Sequence, residues 1–421
     1  MSAVSPSKYN RIELQKKGKK SVELKGGVVS VDYYESLYSP TVTANVMYVD
    51  AGGNLEDDKN KLTSVKEALP ITGLEDLLLN ITNETGELKF IKKDAFKVSK
   101  APVMTRESNK QAVLLSVVSP QLKQNNDDPI FDKYMGKISD TVKKILKEKL
   151  KISNDKLDIE PTQNGYNFLG KGRGGLDLVL DLCKRSVPVK GDAGFFFYQT
   201  KSGFKFKSIN ELISQKPEFT LVYFGGFKQD NTEDNNDNKI MMPPRFEKDQ
   251  DVIKSLKGGV YRSRNIFFDP RTFCYEEVTY DISAKEGIKK TLGGAPPFAD
   301  DVKSFTKTFH HILDVGSLDS NPSTKINNDP RDWQASSVMR YNLLHSQVVH
   351  IQIPCNLKLE AGNVIKMEIE STSANKEEGA KDEQQSGNYL ILNLCHHFTD
   401  RRSITSLTLV RDTYGIKRSK D

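Results

Sequence analysis

The segment whose residue types could bind a phosphate group is a glycine-rich loop at residues 170–175. It reads Gly-Lys-Gly-Arg-Gly-Gly, and the apolar spacing after it predicts a helix from Leu176 to Lys184. Backbone amides at a helix start, with a lysine and an arginine beside them, attract anions. However, Lys171 is followed by glycine instead of Ser or Thr, and only the short segment 166–169 precedes the loop as a strand. A nucleotide-binding or hydrolytic enzyme that uses the glycine-rich loop 170–176 is therefore the alternative interpretation, beside a plain lead into a helix or a contact with a partner.

The histidines and cysteines do not form a pattern typical of a metal site or a nucleophile. The pairs His310–His311 and His396–His397 are chain neighbours, which point to opposite faces when they lie on a strand. The sequence contains no Cys-x-x-Cys, no His-Glu-x-x-His and no Gly-x-Ser-x-Gly, and its carboxylates are scattered. We therefore predict no catalytic residue, no cofactor, no metal ligand and no enzymatic activity. The four cysteines, which suit a reducing compartment, are Cys183, Cys274, Cys355 and Cys395.

Charge and hydropathy narrow the choice of partners. The 421 residues carry a net charge of +6, from 62 basic and 56 acidic side chains. The densest basic run near the start, residues 16–20, could contact nucleic acid or an acidic protein, but we favour a solvated, mobile chain end. The aromatic cluster at residues 195–198 lacks the basic surroundings of a nucleic-acid reader, so no sequence-specific nucleic acid is expected. No apolar run approaches the roughly 20 residues of a membrane span, so no membrane anchor is expected.

Strand patterns dominate both ends of the chain. Residues 1–20 are expected to form a polar arm, and residues 21–118 a first β-barrel domain, because apolar and polar residues alternate there between Gly, Asn and Pro. Residues 346–415 show the same alternation and are expected to close a second β-barrel. Residues 416–421 are a tail.

The middle of the chain has a mixed pattern. Residues 119–246 are expected to form an α+β domain with a helix at 129–150, a second helix at 176–184 and a hairpin at 195–206. The first helix is inferred from apolar residues at three- and four-residue spacing, namely Phe131, Tyr134, Met135, Ile138, Val142, Ile145, Leu146 and Leu150.

Residues 247–345 are expected to belong partly to the second barrel and partly to the middle domain. A short helix from Glu247 to Leu256, a strand pair between residues 259 and 282 and a helix that begins at Pro330 are predicted there. The stretch 283–328 is rich in loop-forming residues. Residues 228–240 and 371–387 are polar inserts in which few apolar side chains occur.

The two ends of the chain share a plan. The segment 69–81 resembles 360–369, since a turn with Gly73 or Gly362 precedes an apolar strand in each. The segments 95–98 and 111–118, with a charged turn at 106–108, resemble 390–394 and 403–410, with a turn at 400–402. Two unrelated hairpins would explain the likeness as well. If the repeat is real, one chain carries two similar barrels.

In this order of segments the chain resembles the baseplate (tail) hub protein of T4-like contractile-tailed bacteriophages. The likeness extends from about residue 21 to 415 and includes the opening β-unit, the 129–150 and 176–184 helices, the 195–206 hairpin and the closing unit 348–410. The inserts at 228–240 and 371–387 and the stretch 283–328 depart from that pattern. The expected fold is therefore α+β and β-dominated, with two similar tube-protein-like β-barrel domains and an intervening mixed α/β domain.

The resemblance implies a structural virion protein rather than an enzyme. It implies a homotrimeric baseplate hub, a symmetry adaptor between a trimeric cell-puncturing spike and a hexameric tail tube. The implied partners are two further copies of the chain, the central spike protein, tail tube or tube-initiator proteins, and baseplate wedge proteins. The implied location is the tail baseplate of the virion, after assembly in the host cytoplasm.

Overall fold

A computed structural model describes most of the chain. The described residues are 6–51, 55–56, 62–107, 110–223, 238–249, 251–282, 290–293, 305–314, 318, 327–372 and 381–413. The predicted tail at 416–421 lies outside them, as do most of the insert predicted at 228–240, residues 373–380 of the insert predicted at 371–387, and most of the stretch 283–328.

Strands make up 45% of the structure and helices 20%, so the expected α+β, β-dominated class is confirmed. The strands are β1 (Lys8–Gln15), β2 (Val22–Glu23), β3 (Val28–Ser36), β4 (Thr43–Asp50), β5 (Leu55–Glu56), β6 (Leu62–Thr63), β7 (Asp76–Asn83), β8 (Gly86–Phe90), β9 (Phe96–Lys100), β10 (Val103–Arg106), β11 (Gln111–Val118), β12 (Lys133–Tyr134), β13 (Leu157–Ile159), β14 (Phe168–Leu169), β15 (Phe195–Thr200), β16 (Gly203–Ser208), β17 (Thr220–Tyr223), β18 (Arg245–Lys248), β19 (Arg262–Asp269), β20 (Cys274–Asp281), β21 (Lys307–Ile312), β22 (Gln347–Pro354), β23 (Val364–Ile369), β24 (Gly387–Thr399) and β25 (Ser403–Arg411).

The helices are α1 (Val65–Ala68), α2 (Pro120–Asp127), α3 (Ile138–Glu148), α4 (Gly175–Arg185), α5 (Ile209–Ile213), α6 (Val252–Lys257) and α7 (Gln334–Leu344). Helix α4 and the hairpin β15–β16 confirm two predictions for the middle of the chain. Strands β19 and β20 confirm the predicted pair between residues 259 and 282. The helix expected to begin at Pro330 is present as a 3-10 turn, Pro330–Asp332, followed by α7.

Both ends of the chain contribute to one large sheet. Its strands follow the order β18-β22-β25-β24-β3-β4-β11-β9-β7-β1-β2, with β8, β10, β17 and β23 attached beside this path. The inward-facing side chains of both ends form a single hydrophobic cluster that extends from Ile12 to Leu409. The pairings among the described residues do not close either end into a barrel. One isolated bridge, Val222 to Lys239, and one bond from the Met241 N–H to the Gln352 oxygen connect β17 to β22 in the second half.

The repeat expected from the sequence is present in the strand order. We call β3, β4, β7, β9, β10 and β11 the N-terminal unit, and β18, β22, β23, β24 and β25 the C-terminal unit. Within the N-terminal unit, β3 pairs β4, β4 pairs β11, β11 pairs β9, and β9 pairs β7, all antiparallel. Within the C-terminal unit, β18 pairs β22, β22 pairs β25, β25 pairs β24, and β24 pairs β23, again all antiparallel.

The two units also match residue by residue. Val118 lies opposite Thr43 in one unit, and Val410 lies opposite Val348 in the other. Counting from these pairs, the buried residues Val113, Leu115 and Val117 correspond to Thr405, Leu407 and Leu409, which are also buried. The pair Leu77–Phe96 likewise corresponds to Ile365–Tyr389. Two unrelated hairpins would not keep the same neighbours and the same inward face over four strands.

Strand β3 joins the two units. One edge of β3 pairs β4 over Val28 to Tyr34, and its other edge pairs β24 over Ser30 to Ser36. Because both edges are used, the N-terminal and C-terminal units form one continuous sheet rather than two separate bodies.

The predicted helix 129–150 is wrong over its first half. Residues 130–137 instead pair with residues 165–173: Ile130 bridges Arg173, β12 pairs β14, and Lys137 bridges Gly165. Gly136 has a φ of 101°, which an α-helix does not allow, so α3 begins only at Ile138. Of the apolar residues before it, Ile130 and Tyr134 contribute to the same core as α3, whereas Phe131 and Met135 are exposed. A helix not predicted, α2, begins at Pro120, a position where proline needs no hydrogen-bonded N–H.

Two further predictions need correction. Residues 1–20 are not a polar arm throughout, because β1 pairs β7 from Lys8 to Gln15 and buries Ile12 and Leu14 completely. The helix predicted from Glu247 to Leu256 is two elements: β18, which pairs β22, and α6. Helix α6 begins after Asp251, whose carboxylate accepts a hydrogen bond from the Lys254 N–H at 2.9 Å.

The matched cores predict matched costs of truncation. Leu115→Ala and Leu407→Ala should each lower the free energy of unfolding by about 2–5 kcal/mol, because each removes a buried side chain at the same place in its unit. Denaturant unfolding of the two variants measures this. Val189→Ala, at a residue 61% exposed, is the control and should change stability little. A negligible cost at one leucine and a large cost at the other would contradict the equivalence of the units.

Candidate assembly interface

The glycine-rich loop serves packing in this structure. The N–H of Leu176, in the first turn of α4, donates to the side-chain oxygen of Asn125 at 2.7 Å. A Cβ atom at Gly174 would lie 2.4 Å from that same oxygen, and one at Gly170 would lie 2.2 Å from the Ile130 oxygen. The glycines therefore allow α2 and residue 130 to lie against the loop, and an amide that a phosphate would need is already hydrogen-bonded. Arg173 is paired with Asp181 at 2.6 Å.

The histidine pairs separate as strand neighbours do. His396 is fully buried and contacts the Thr405 hydroxyl at 2.8 Å, and burial lowers its pKa to about 3. His397 faces the other side and pairs with Asp32. His311 lies between Asn265 and Gln334, at 3.1 Å and 2.9 Å. His311, His396 and His397 each make a side-chain contact with a protein group, and no group of three potential metal ligands occurs among the described residues.

The cysteines are free thiols. Cys183 and Cys355 are buried, Cys395 is half-buried and Cys274 is exposed. Burial raises the pKa of Cys355 and of Cys395 to about 12, so neither is a ready nucleophile at neutral pH.

In the described part of the chain, no helix has the length and apolar character needed to cross a bilayer.

A buried carboxylate lies where the two units meet. Glu35, at the end of β3, is 2% exposed and accepts three hydrogen bonds. The donors are the Tyr33 hydroxyl at 2.7 Å, the Lys201 N–H at 2.7 Å and the Ala361 N–H at 2.8 Å. These donors belong to β3, to the turn of the β15–β16 hairpin and to the loop before β23. One side chain therefore connects the shared strand, the middle of the chain and the C-terminal unit.

A second carboxylate completes this cluster. Glu360 accepts hydrogen bonds from Thr200 at 2.9 Å, Ser202 at 2.8 Å and Lys205 at 2.7 Å, all on the hairpin. Burial raises its pKa, but the charge of Lys205 and these hydrogen bonds outweigh burial, and the net pKa is lowered. Glu360 is therefore the charged partner of the hairpin at neutral pH.

Glu35 behaves in the opposite way. Burial, and then the charge of Glu360, raise its pKa to about 7, against the lowering effect of its three hydrogen bonds. Two carboxylates in one cluster thus favour different protonation states, because Glu360 has a lysine beside it and Glu35 has only neutral donors. Because burial outweighs the hydrogen bonds, the folded chain is more stable when Glu35 carries a proton.

The structure also exposes an apolar surface outside the main sheet. Strands β20, β19 and β21 form a small sheet in this order. One of its faces carries Phe267, which is buried, and His311, which contacts Gln334 of α7. At one end of the other face lie Phe268, Tyr275 and Ile312, opposite one another in register and 38%, 77% and 73% exposed. Phe273, 80% exposed, packs edge-on against Phe268, so the apolar residues are contiguous. Such an exposed apolar patch is typical of a protein-binding surface.

The raised pKa of Glu35 predicts a pH dependence of stability. The folded state holds the Glu35 proton more tightly than the unfolded state, so this group's stabilisation is complete below about pH 4.5 and is lost as pH rises through about 7. Glu35→Gln does not titrate, and its stability relative to the natural chain should improve by up to ~3 kcal/mol from pH 4.5 to 7.5. Denaturant unfolding at both pH values tests this, with Glu87→Gln, at an exposed residue of β8, as the control. A stability difference that does not change with pH would contradict it.

Two solved structures share this fold over nearly the whole chain. A tail protein from Neisseria meningitidis MC58 has a TM-score of 0.53 and 9% sequence identity, over 96% of this chain and 96% of that one. The 43 kDa tail protein of prophage MuSo2 from Shewanella oneidensis has a TM-score of 0.51 and 9% identity, over 96% of this chain and 99% of that one. No protein-family profile and no curated protein matches the sequence. At this level of identity the likeness establishes the architecture: the chain has a tail-protein-like fold.

Proposed function

We propose that this chain is a structural component of a phage or phage-like tail: a homotrimeric baseplate hub of the T4-like type. The single observation that carries the proposal is the repeated unit, because one chain contains two β-units of the same strand order within one continuous sheet. The tail-protein-like fold and the resemblance in segment order support the same role.

The repeat gives a physical reason for a change of symmetry. Three copies of a chain with two equivalent units present six similar units around an axis, which match a hexameric tube. Closed symmetry of this kind yields a finite assembly from repeated contacts. Parts that occur once per chain, such as the small sheet β19–β20–β21 and the α2–α5 region, are present three times and match a trimeric spike. One chain therefore supplies both symmetries.

The proposed partners follow from this adaptor role. They are two further copies of the chain, the tail tube or tube-initiator proteins on the six-unit side, the central spike protein on the three-fold side, and baseplate wedge proteins around the ring. The proposed location is the virion tail baseplate, after assembly in the host cytoplasm. No enzymatic activity is part of the proposal.

The trimer is tested by mass. Light scattering of the purified chain, alone and with its spike protein, should give three copies of the 47.4 kDa chain, and a larger complex on addition of the spike. The apparent mass should not fall on dilution across the micromolar range, because obligate interfaces commonly bury on the order of 2,000 Å² or more. A stable monomer that ignores the spike protein would contradict the proposal.

We further propose that the exposed end of the small sheet contacts the spike, since it is apolar and occurs once per chain. Replacing Phe273 and Tyr275 with Ser should leave the trimer intact and weaken spike binding at least tenfold, because large aromatic side chains dominate interface energetics. Binding of labelled spike protein by the trimer measures this.

The matched control for the small sheet is Leu74→Ser. Leu74 lies just before β7 of the main sheet, and its apolar side chain is 51% exposed. It should leave spike affinity unchanged. If the variant with Ser at positions 273 and 275 binds the spike with unchanged affinity, the exposed end of the small sheet is not the spike contact.

A further inference from the structure

Among the described residues, each unit has one strand edge that no strand pairs. In the N-terminal unit this is the outer edge of β10, which pairs only β11. In the C-terminal unit it is the outer edge of β18, which pairs only β22. Both places expose apolar side chains: Val103 and Met104 on β10 are 38% and 57% exposed, and Met241 and Met242 before β18 are 42% and 57% exposed. Free edges with apolar side chains are ready to pair with another strand.

The edge of β10 has an equivalent that is already paired. Strands β9 and β10 follow each other along the same side of β11, just as the two halves of the long strand β24 follow each other along β25. In the N-terminal unit β7 pairs the free side of β9, and in the C-terminal unit β23 pairs the same side of the first half of β24. The second half of β24 is covered by β3, while β10, the equivalent of that half, is uncovered.

The outer edge of β18 corresponds to the outer edge of β3, which is paired with β24. Strand β18 precedes and pairs β22 as β3 precedes and pairs β4. The outer edge of β3 pairs β24. The junction inside the chain therefore pairs β3, the first strand of the N-terminal unit, with the second half of β24 in the C-terminal unit. The two free edges are the corresponding pair: β18 is the first strand of the C-terminal unit, and β10 is the equivalent of that half of β24.

We propose that β18 of one copy of this chain pairs antiparallel with β10 of the next copy, repeating between chains the β3–β24 junction found within the chain. This inference rests on the proposed ring and names the strands that close it. Continuing the same junction around three copies pairs both free edges of every chain and leaves neither edge of a unit open.

The internal junction also gives the register. Thr105 lies opposite Ala112, six residues before Val118, and His397 lies opposite Ile404, six residues before Val410, so Thr105 corresponds to His397. Asp32 lies opposite Asn45, two residues after Thr43, and Arg245 lies opposite His350, two residues after Val348, so Arg245 corresponds to Asp32. Within the chain Asp32 lies opposite His397. Between chains Arg245 should therefore lie opposite Thr105.

The proposed contact between copies is shorter than the β3–β24 junction within the chain. Strand β3 has nine residues, whereas β18 and β10 have four each. Pro243 and Pro244 precede β18 and lack the N–H groups that a longer ladder would use. We therefore expect a ladder of about four residues, with the exposed methionines packed beside it.

Cysteine cross-linking tests the register. In a background with the exposed Cys274 replaced by Ser, chains carrying Thr105→Cys are co-assembled with chains carrying Arg245→Cys and oxidised. Directly opposite residues in an antiparallel pair lie about 4.5–5.5 Å apart at Cα, within the range that a disulfide spans. The mixture should give a covalent dimer in high yield, and a chain with both substitutions should give covalent trimers on a denaturing gel.

The controls separate this inference from the proposed trimer. Thr105→Cys mixed with Lys216→Cys should stay uncross-linked, and neither substitution alone should cross-link, because the contact joins unlike edges. A trimer by mass without a Thr105–Arg245 cross-link, or a cross-link in a single variant, would overturn the edge pairing and leave the trimer standing. A monomer by mass would overturn both.

Discussion

The structure depends on one strand that is paired on both edges. Strand β3 belongs to the N-terminal unit through β4 and extends the C-terminal unit through β24. The register of a strand with a partner on each side is fixed. A shift by one residue would turn the buried side chains of Val31, Tyr33 and Glu35 outward and bring polar neighbours such as Ser30 and Asp32 inward. The relative placement of the two units is thus fixed by backbone hydrogen bonds. The shared hydrophobic cluster on the inward face follows from this placement.

The same strand carries the polar cluster that attaches the rest of the chain. Glu35 receives donors from the β15–β16 hairpin and from the loop before β23, and Glu360 on that loop receives three more from the hairpin. Buried carboxylates are costly unless they are hydrogen-bonded, so this arrangement forms only when all three segments are in place. It links the middle of the chain to the junction of the units, as the proposed adaptor role would require.

The sequence predicts the parts of this fold that local periodicity records. The alternation of Ala44, Val46 and Tyr48, and of Val113, Leu115 and Val117, indicates half-buried strands, and the repeat is visible in the order of such segments. The missed features depend on residues distant in the chain. Residues 130–137 have helical spacing but pair with 165–173, α4 is capped by Asn125 from 51 residues away, and β1 has only Ile12 and Leu14 to indicate burial. Glu35 resembles a surface residue in sequence, because its burial comes from segments 166 and 326 positions further along.

The most direct test of the account is an electron cryomicroscopy reconstruction of the purified assembly without imposed symmetry. The account predicts three chains around an axis, with six similar β-units on one side, the small sheets in three-fold positions, and sheet density continuous from each chain to the next. A ring of six chains, a dimer, or three chains whose main sheets do not touch would contradict it.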